Sequence, residues 1–195
     1  MATDTSAYPV RFDIDYEEQH NRLTAFFRLL LSVPIVIVLC MLPSSSALGG
    51  LFVATLLMIL FRQVYPRWWF DFGLELNRFS TRVSAYMFLL TDRYPSTVDT
   101  QAVHLDITYP NAKQDLNRWL PLVKWLLAIP HLVVLVFLGL AAAVVTLIAW
   151  FAILFTGRYP RGLFNFVVGV GRWFTRVNAY VFLVATDKYP PFSLA

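Results

Sequence analysis

The sequence predicts a mainly α-helical membrane protein of two tandem repeats. Each repeat is predicted to hold a short β-strand, a transmembrane helical hairpin and an amphipathic interfacial helix. The 195 residues are 58% hydrophobic and only 14% charged, against roughly 25% charged residues in an ordinary soluble domain. No Lys, Arg, Asp or Glu interrupts the runs Leu29–Phe61 and Trp125–Gly157. The chain also repeats itself, with 94 residues separating Tyr65-Pro66-Arg67 from Tyr159-Pro160-Arg161.

The duplication extends over nearly the whole chain. The segment Thr81-Arg82-Val83-Ser84-Ala85-Tyr86 matches Thr175-Arg176-Val177-Asn178-Ala179-Tyr180. Both copies then continue with Thr-Asp, a basic residue and Tyr-Pro. We therefore divide the chain into repeat 1 (1–98) and repeat 2 (99–195). We expect the repeats to pack around a pseudo-two-fold axis as one structural domain.

Each repeat opens with a stretch of alternating apolar and polar residues, which is typical of a β-strand. The apolar positions are Val10, Phe12 and Ile14 in the first repeat and Val103, Leu105 and Ile107 in the second. Equivalent edges of a duplicated unit can meet as they do in a symmetric dimer. We expect segments 10–15 and 103–108 to pair as a two-stranded antiparallel ribbon.

The two uncharged runs predict four transmembrane helices. A helix of 33 residues would be about 50 Å long, whereas the hydrocarbon core is only about 30 Å thick. Each run is therefore predicted to fold back, over 23–64 and 119–157, with turns at Pro43–Ser46 and at Gly139. Arg28 and Lys124 would extend their charged ends to the headgroups. Re-entrant hairpins that do not emerge on the far side are the alternative.

An amphipathic helix is predicted after each hairpin, over 67–91 and 161–186. Asp71, Glu75, Arg78 and Arg82 fall on one stripe of the first helix, and the second helix carries Arg172 and Arg176 on its equivalent stripe. Two arginines at the centre of a bilayer would cost at least ~5 kcal/mol. A helix lying in the headgroup plane avoids that cost.

The distribution of basic residues predicts the orientation. All 16 Lys and Arg residues lie outside the two uncharged runs, and hairpins would bring them to one side of the membrane. By the positive-inside rule that side is the cytoplasm, so the N- and C-termini are expected there. The same rule explains the net charge of +4 better than a nucleic-acid partner does.

The basic residues are also the best candidates for a binding site. Arginine pairs at the membrane surface can bind lipid phosphates. The alternative is a structural role, with ion pairs to Glu75, Asp92 or Asp187. His131 is a second candidate, as a polar site within an apolar run, although a structural histidine is the alternative there too. The predicted headgroup-binding residues are Arg28, Arg78, Arg82, Lys124, Arg172 and Arg176.

The sequence contains no motif for nucleotide binding, hydrolysis or zinc binding. We therefore expect no enzyme activity, no catalytic residue, no metal and no cofactor. The favoured function is a scaffold or accessory subunit of a membrane complex. The alternative is a protein that binds or handles anionic lipid, and a small channel or transporter ranks third. The expected partners are anionic membrane lipids and other membrane subunits or further copies of the chain, without nucleic acid.

The second repeat contains a series of short motifs: Ile129-Pro130-His131, Arg158-Tyr159-Pro160-Arg161-Gly162-Leu163-Phe164, Gly171-Arg172-Trp173, Arg176-Val177, Ala179-Tyr180 and Thr186-Asp187-Lys188-Tyr189-Pro190-Pro191-Phe192. With these motifs the chain resembles the bacterial domain-of-unknown-function family 4389. The resemblance covers nearly the whole chain, but repeat 1 departs from the pattern at Trp68, Ile35 and Ser96. It implies an integral protein of the bacterial cytoplasmic membrane and supplies no catalytic residues.

Overall fold

Helices and strands follow the same order in both repeats. The computed structural model describes residues 8–41, 52–97, 99 and 101–195. Its elements are β1 (Val10–Ile14), α1 (Arg22–Phe26), α2 (Arg28–Met41), α3 (Phe52–Arg62), α4 (Arg67–Met87), β2 (Val103–Ile107), α5 (Pro121–Leu127), α6 (Ile129–Thr156) and α7 (Arg161–Val181). The five elements from β1 to α4 belong to repeat 1, and the four elements from β2 to α7 belong to repeat 2.

Helix α6 contradicts the hairpin predicted over 119–157. It runs without a break through Gly139, the predicted turn, and only Ala128 separates it from α5. A glycine inside a helix costs about 1 kcal/mol relative to alanine, and the leucines and alanines around Gly139 favour the helix. The prediction was wrong because it assumed that each apolar run must fit the thickness of a bilayer.

The prediction of four transmembrane helices is also wrong for the described residues. Among them, α6 is the one helix that is long and apolar enough to cross a membrane. Helices α2 and α3 are apolar but shorter than the roughly 20 residues that a crossing requires. The turn predicted at Pro43–Ser46 lies outside the described residues.

Both repeats reverse the chain direction in the same way. Helix α3 ends in a π-helical turn and the left-handed residue Gln63 (φ 48°), and α6 ends at the left-handed Gly157 (φ 73°). A Tyr-Pro pair follows each, and the proline caps the next helix. Helices α4 and α7 occupy the positions of the predicted amphipathic helices. They end several residues sooner than predicted, before the left-handed residues Leu89 and Val184.

The predicted ribbon is confirmed. β1 and β2 pair antiparallel, with Phe12 opposite Leu105 at the centre of the register. Side chains alternate between buried and exposed along both strands, so the apolar residues face inward and the charged residues face outward.

The strands are exchanged between the repeats. β1 of repeat 1 packs against α7 of repeat 2, and β2 of repeat 2 packs against α4 of repeat 1. Gly171 allows the close approach of β1 to α7, because a Cβ atom there would lie 3.0 Å from the Phe12 ring. Arg172 donates to the backbone carbonyl of Phe12, and Arg78 donates to that of Leu105. The exchange joins the two repeats into one core.

Candidate functional site

A buried ion pair at the start of α2 holds the end of α4 in place. The Arg28 guanidinium donates to the Thr91 carbonyl (2.8 Å), forms a short ion pair with Asp92, and lies 4.0 Å from the centre of the Tyr86 ring. The other Asp92 oxygen accepts from the backbone N–H of Asn21 at 2.6 Å. We call Asn21, Arg28, Tyr86 and Asp92 the first clasp.

The second repeat builds the same arrangement around a lysine. Lys124 Nζ donates to the Thr186 carbonyl (2.6 Å), lies 2.7 Å from Asp187 Oδ1, and sits 4.9 Å from the centre of the Tyr180 ring. The Asn117 N–H donates to the second oxygen of Asp187. Asn117, Lys124, Tyr180 and Asp187 form the second clasp.

The clasps correct the role predicted for Arg28 and Lys124. Arg28 is only 3% exposed and Lys124 is fully buried, so neither side chain extends to headgroups. The carboxylate, carbonyl and tyrosine ring that surround each cation replace the water or phosphate it would otherwise need. Burial lowers the pKa of Lys124, although the charge of Asp187 and its hydrogen bond act in the opposite direction.

The arginines of α4 and α7 contact other parts of the protein. Arg78 pairs with Glu75 (2.6 Å), as the structural alternative predicted, and also with Asp106 (2.7 Å). Arg172 lies 3.3 Å from Asp13 and also donates to the Leu194 carbonyl. Arg78 and Arg172 therefore join each helix to the exchanged strand.

The other two arginines bind carbonyl groups that follow their own helices. Arg82 donates to the Ser96 carbonyl at 2.7 Å. Arg176 is buried and donates to the carbonyl groups of Ser193 and Ala195. A role in headgroup binding remains a prediction for Arg78, Arg82 and Arg172, which stay partly exposed, whereas Arg176 is as buried as Arg28.

His131 is fully buried in a cluster of aromatic rings. Its Nδ1 accepts a hydrogen bond from Trp173 Nε1 (3.1 Å), and its ring stacks on Phe192 at 4.0 Å. In repeat 1 the equivalent residues are apolar, with Ile35 packed against Phe79. The pair His131–Trp173 thus replaces an apolar contact, and no metal-binding group of three or more suitable side chains occurs among the described residues.

An exposed apolar stripe runs along the full length of α6. The opposite face of the helix, which includes His131, Leu135, Ala142, Ala149 and Ile153, is buried against the protein. Only 17% of the most apolar stretch of α6 is buried. The exposed side chains recur every three or four residues: Val133, Phe137, Leu140, Val144, Ile148, Phe151 and Phe155.

β1 runs along α7, which in turn packs against α6. Before β1, the Tyr8 hydroxyl donates to the carbonyl of Lys188, which follows α7. After β1, the Tyr16 hydroxyl donates to the carbonyl of Tyr159, which precedes α7. The segment that holds β1 therefore extends from beyond the end of α7 to its start.

The ribbon and α6 pack on different faces of α7. Gly171 and Arg172 face β1, whereas Trp173 and Val177 pack in the cluster that includes Leu135 of α6. The charged outer face of the ribbon and the exposed apolar stripe of α6 therefore belong to different parts of the protein surface.

A set of exposed cations at the rim of the apolar surface was not predicted as a binding site from the sequence. Arg22 and Arg158 are exposed at the end of α6, where the Arg22 guanidinium lies beside Gly157. Arg62 and Arg67 are exposed at the equivalent place in repeat 1, next in the chain to the exposed Phe61 and Trp68. The sequence signal for Arg67 and Arg158 is their position directly beside Tyr-Pro, at the end of each uncharged run.

The comparison with known families agrees with the duplication. The model of the family described as domain of unknown function (DUF4389) matches residues 22–98 and again residues 119–193. The chain belongs to this family. Each DUF4389 match begins after the strand of its repeat and covers the helices and the clasp, apart from the clasp asparagine (Asn21 or Asn117). No curated protein and no solved structure matches the chain.

Proposed function

We propose that this protein is a non-catalytic membrane-bound scaffold that holds other membrane components at the cytoplasmic face of the bacterial membrane. The observation that carries the proposal is the uninterrupted exposed apolar stripe of α6, a helix whose buried residues His131, Leu135, Ala142, Ala149 and Ile153 face the protein. An exposed apolar area of this extent on a soluble protein would cause aggregation, whereas lipid tails would cover it.

The position of the ribbon favours a helix that lies in the plane of the membrane. If α6 stood across the bilayer, α7, which packs against it, and β1, which packs against α7, would lie at hydrocarbon depth. The outward carboxylates of the ribbon would then face lipid, and Asp13 and Asp106 are 73% and 75% exposed. Each charged residue at the centre of a bilayer costs about 2.5–3.5 kcal/mol. With α6 parallel to the membrane, the same carboxylates face water.

The rim cations support attachment to the cytoplasmic leaflet. Arg22, Arg62, Arg67 and Arg158 are exposed next to apolar side chains that would enter the membrane. Each basic residue near an anionic surface contributes about 1 kcal/mol of attraction. In this orientation the ribbon and its charged outer face point toward the cytoplasm, where partner subunits could bind.

Vesicle flotation tests the attachment. We expect the purified protein to float with vesicles that contain anionic lipid, and the variant Phe137→Gln/Leu140→Gln to float at least five-fold less because two apolar contacts are lost. The control Phe137→Leu/Leu140→Ile keeps the surface apolar and should float like the wild type. Equal flotation of the Gln variant and the control would show that the stripe does not carry the attachment.

The scaffold role has a separate test. Cells expressing the tagged chain would be solubilised gently and the recovered protein examined by mass spectrometry. We expect stoichiometric membrane-protein partners or self-association. Recovery of a monomer without partners, from a preparation that still binds vesicles, would leave the attachment intact and contradict the scaffold role.

A further inference from the structure

A cavity of about 420 Å³ lies between α4, α6, α7 and the inner face of β1. It is almost three times the volume of the ~150 Å³ apolar cavity that is large enough for benzene, and it falls in the usual range of ~300–1,000 Å³ for ligand sites. The walls are mainly apolar, with Phe12, Leu135, Val136 and Val170 among the described lining residues. An apolar space of this size favours a hydrocarbon occupant over water.

Gly139 makes part of this space. A Cβ atom at Gly139 would meet no other atom within 4 Å, although the residue lies in the middle of a long helix. The absence of a side chain there leaves the wall of α6 open toward the cavity. Val136 and Phe174 also line the cavity and are exposed at the protein surface, so the cavity is continuous with the apolar surface of α6.

The polar groups of the cavity are uncharged, and three of the four hydroxyl groups among its described lining residues already donate within the protein. All six polar lining residues described are Asn, Ser or Thr. The hydroxyl groups of Thr81, Ser84 and Thr175 already donate to backbone carbonyls of their own helices. A charged headgroup would find no opposite charge on these walls.

One buried acceptor lacks a donor. Asn77 donates its Nδ2 to the Gly73 carbonyl (2.8 Å), so its Oδ1 accepts from Asn178 Nδ2 at 2.7 Å. This chain of amides leaves the Oδ1 atom of Asn178 buried and without a hydrogen bond among the described residues. Buried polar groups are nearly always paired, so the occupant should supply a donor at this point.

We propose that the cavity binds the hydrocarbon chain of a neutral, hydroxyl-bearing membrane lipid, of the mono- or diacylglycerol class, whose hydroxyl donates to Asn178. The inference rests on the proposed membrane attachment for the source of the lipid. It gives the scaffold a lipid ligand held by its interior rather than by its arginines.

Photolabelling in detergent micelles tests the site without requiring a bilayer. The probe is an alkyl glycerol with a diazirine in its alkyl chain, and the control probe has both hydroxyls capped as methyl ethers. A third probe carries a phosphate in place of one hydroxyl. We expect the hydroxyl probe to label peptides of α4 and α7 that line the cavity, at least five-fold more than the capped and phosphate probes do.

Two glycine variants separate cavity binding from general adhesion. Gly139→Leu fills the cavity and should reduce labelling of its walls at least ten-fold. Gly162→Leu adds the same side chain at a second glycine with open space around it, outside the cavity, and should change labelling less than two-fold. Ser84→Leu fills the cavity from α4 and replaces Gly139→Leu should that variant not fold. Asn178→Ala should abolish the preference for free hydroxyls.

Labelling of the cavity walls that persists in Gly139→Leu or Ser84→Leu would overturn the proposal. The proposal would also be overturned if the wild-type protein were labelled only on the exposed stripe of α6, because that result indicates that the probe adheres to the surface without entering the cavity. Flotation of the same variants with vesicles reports on membrane attachment separately. If the probe labels the cavity but the protein does not float with vesicles, the result contradicts the proposed membrane attachment and supports the lipid site.

Discussion

At the residue scale, the clasps show how a duplicated chain keeps an interaction while changing its chemistry. Arginine in the first clasp and lysine in the second both reach a backbone carbonyl, an aspartate and a tyrosine ring. The two cations are not equivalent, because a guanidinium offers more donors in a fixed plane than an ammonium does. The conserved geometry across the two repeats therefore depends on the carboxylate, which accepts from an asparagine N–H in both.

Breaking the second clasp should destabilise the protein strongly. Asp187→Asn leaves the fully buried Lys124 without its counter-charge, and removal of one partner of a buried pair costs about 3–5 kcal/mol. Denaturant unfolding measures the change. The matched control is Arg67→Met, which breaks the exposed Arg67–Asp71 pair and should cost less than about 1 kcal/mol. Equal effects of the two substitutions would contradict the role of the clasp.

The first clasp predicts a loss of stability in acid. Burial alone would raise the pKa of Asp92, but hydrogen bonds from His20 and the Asn21 N–H, with the charges of His20 and Arg28, lower it below the ordinary 3.8. The group therefore contributes stability above pH 3.8, and this contribution is lost as the pH falls through the lower folded-state pKa. Asp92→Asn removes the contribution, so we expect its unfolding free energy to vary less between pH 5 and 2 than that of the wild type. An unchanged slope would exclude Asp92 as the source.

At the element scale, α6 shows that the length of an uncharged run does not by itself determine how many helices the run forms. Apolar residues lie all around this helix, and a comparison of the length of the run with the thickness of a bilayer led to the prediction of a hairpin. The structure instead packs one face of the helix and exposes the other.

The effect of substituting Gly139 on the free energy of unfolding distinguishes a continuous helix from a hairpin. In a helix, Gly139→Ala should stabilise the protein by about 0.5–1 kcal/mol, because alanine has the higher helix propensity. Gly157→Ala is the control, since Gly157 adopts a φ of 73° that costs an L-residue roughly 1–2 kcal/mol. Opposite signs for these substitutions in thermal or denaturant unfolding support the continuous helix. Destabilisation by both would support a turn at Gly139.

The sequence was sufficient for the elements that depend on local pattern. The alternation around Phe12 and Leu105 identified the strands, and the duplication identified their pairing. The sequence also identified Arg28 and Lys124 as candidates, but it assigned them to headgroups because their partners Asp92 and Asp187 lie more than 60 positions later in the chain. The exchange of strands and the cavity depend on packing between distant segments, which no local pattern reveals.

At the scale of the whole molecule, the ribbon fixes how the apolar surface can meet a membrane. β1 packs against α7, which packs against α6, and the proposed attachment keeps the exposed Asp13 of the strand in water. The charged outer face of the ribbon and the apolar stripe of α6 are separate parts of the surface. This arrangement favours a protein that lies on a membrane over one that crosses it.

Spin labels measure this orientation directly. In a Cys40→Ser background, single cysteines would replace Val133, Leu140, Ile148 and Phe155, which share the exposed stripe of α6. For a helix in the membrane plane, we expect similar shallow depths at all four positions by oxygen accessibility in electron paramagnetic resonance. The control is a label at Asp13, which should remain in water. A depth that rises to a maximum near Leu140 and falls again at Phe155 would demonstrate a crossing helix.

The exchange of strands sets the order in which the protein can be completed during synthesis. β1 (Val10–Ile14) leaves the ribosome well before its packing partner α7 (Arg161–Val181). At ~5–20 residues per second, the strand waits on the order of ten seconds for that helix. During this interval its apolar face is available to chaperones and to the strands of neighbouring nascent chains. Slower translation of the second repeat would therefore prolong the period of vulnerability to aggregation, even though the finished fold would be unchanged.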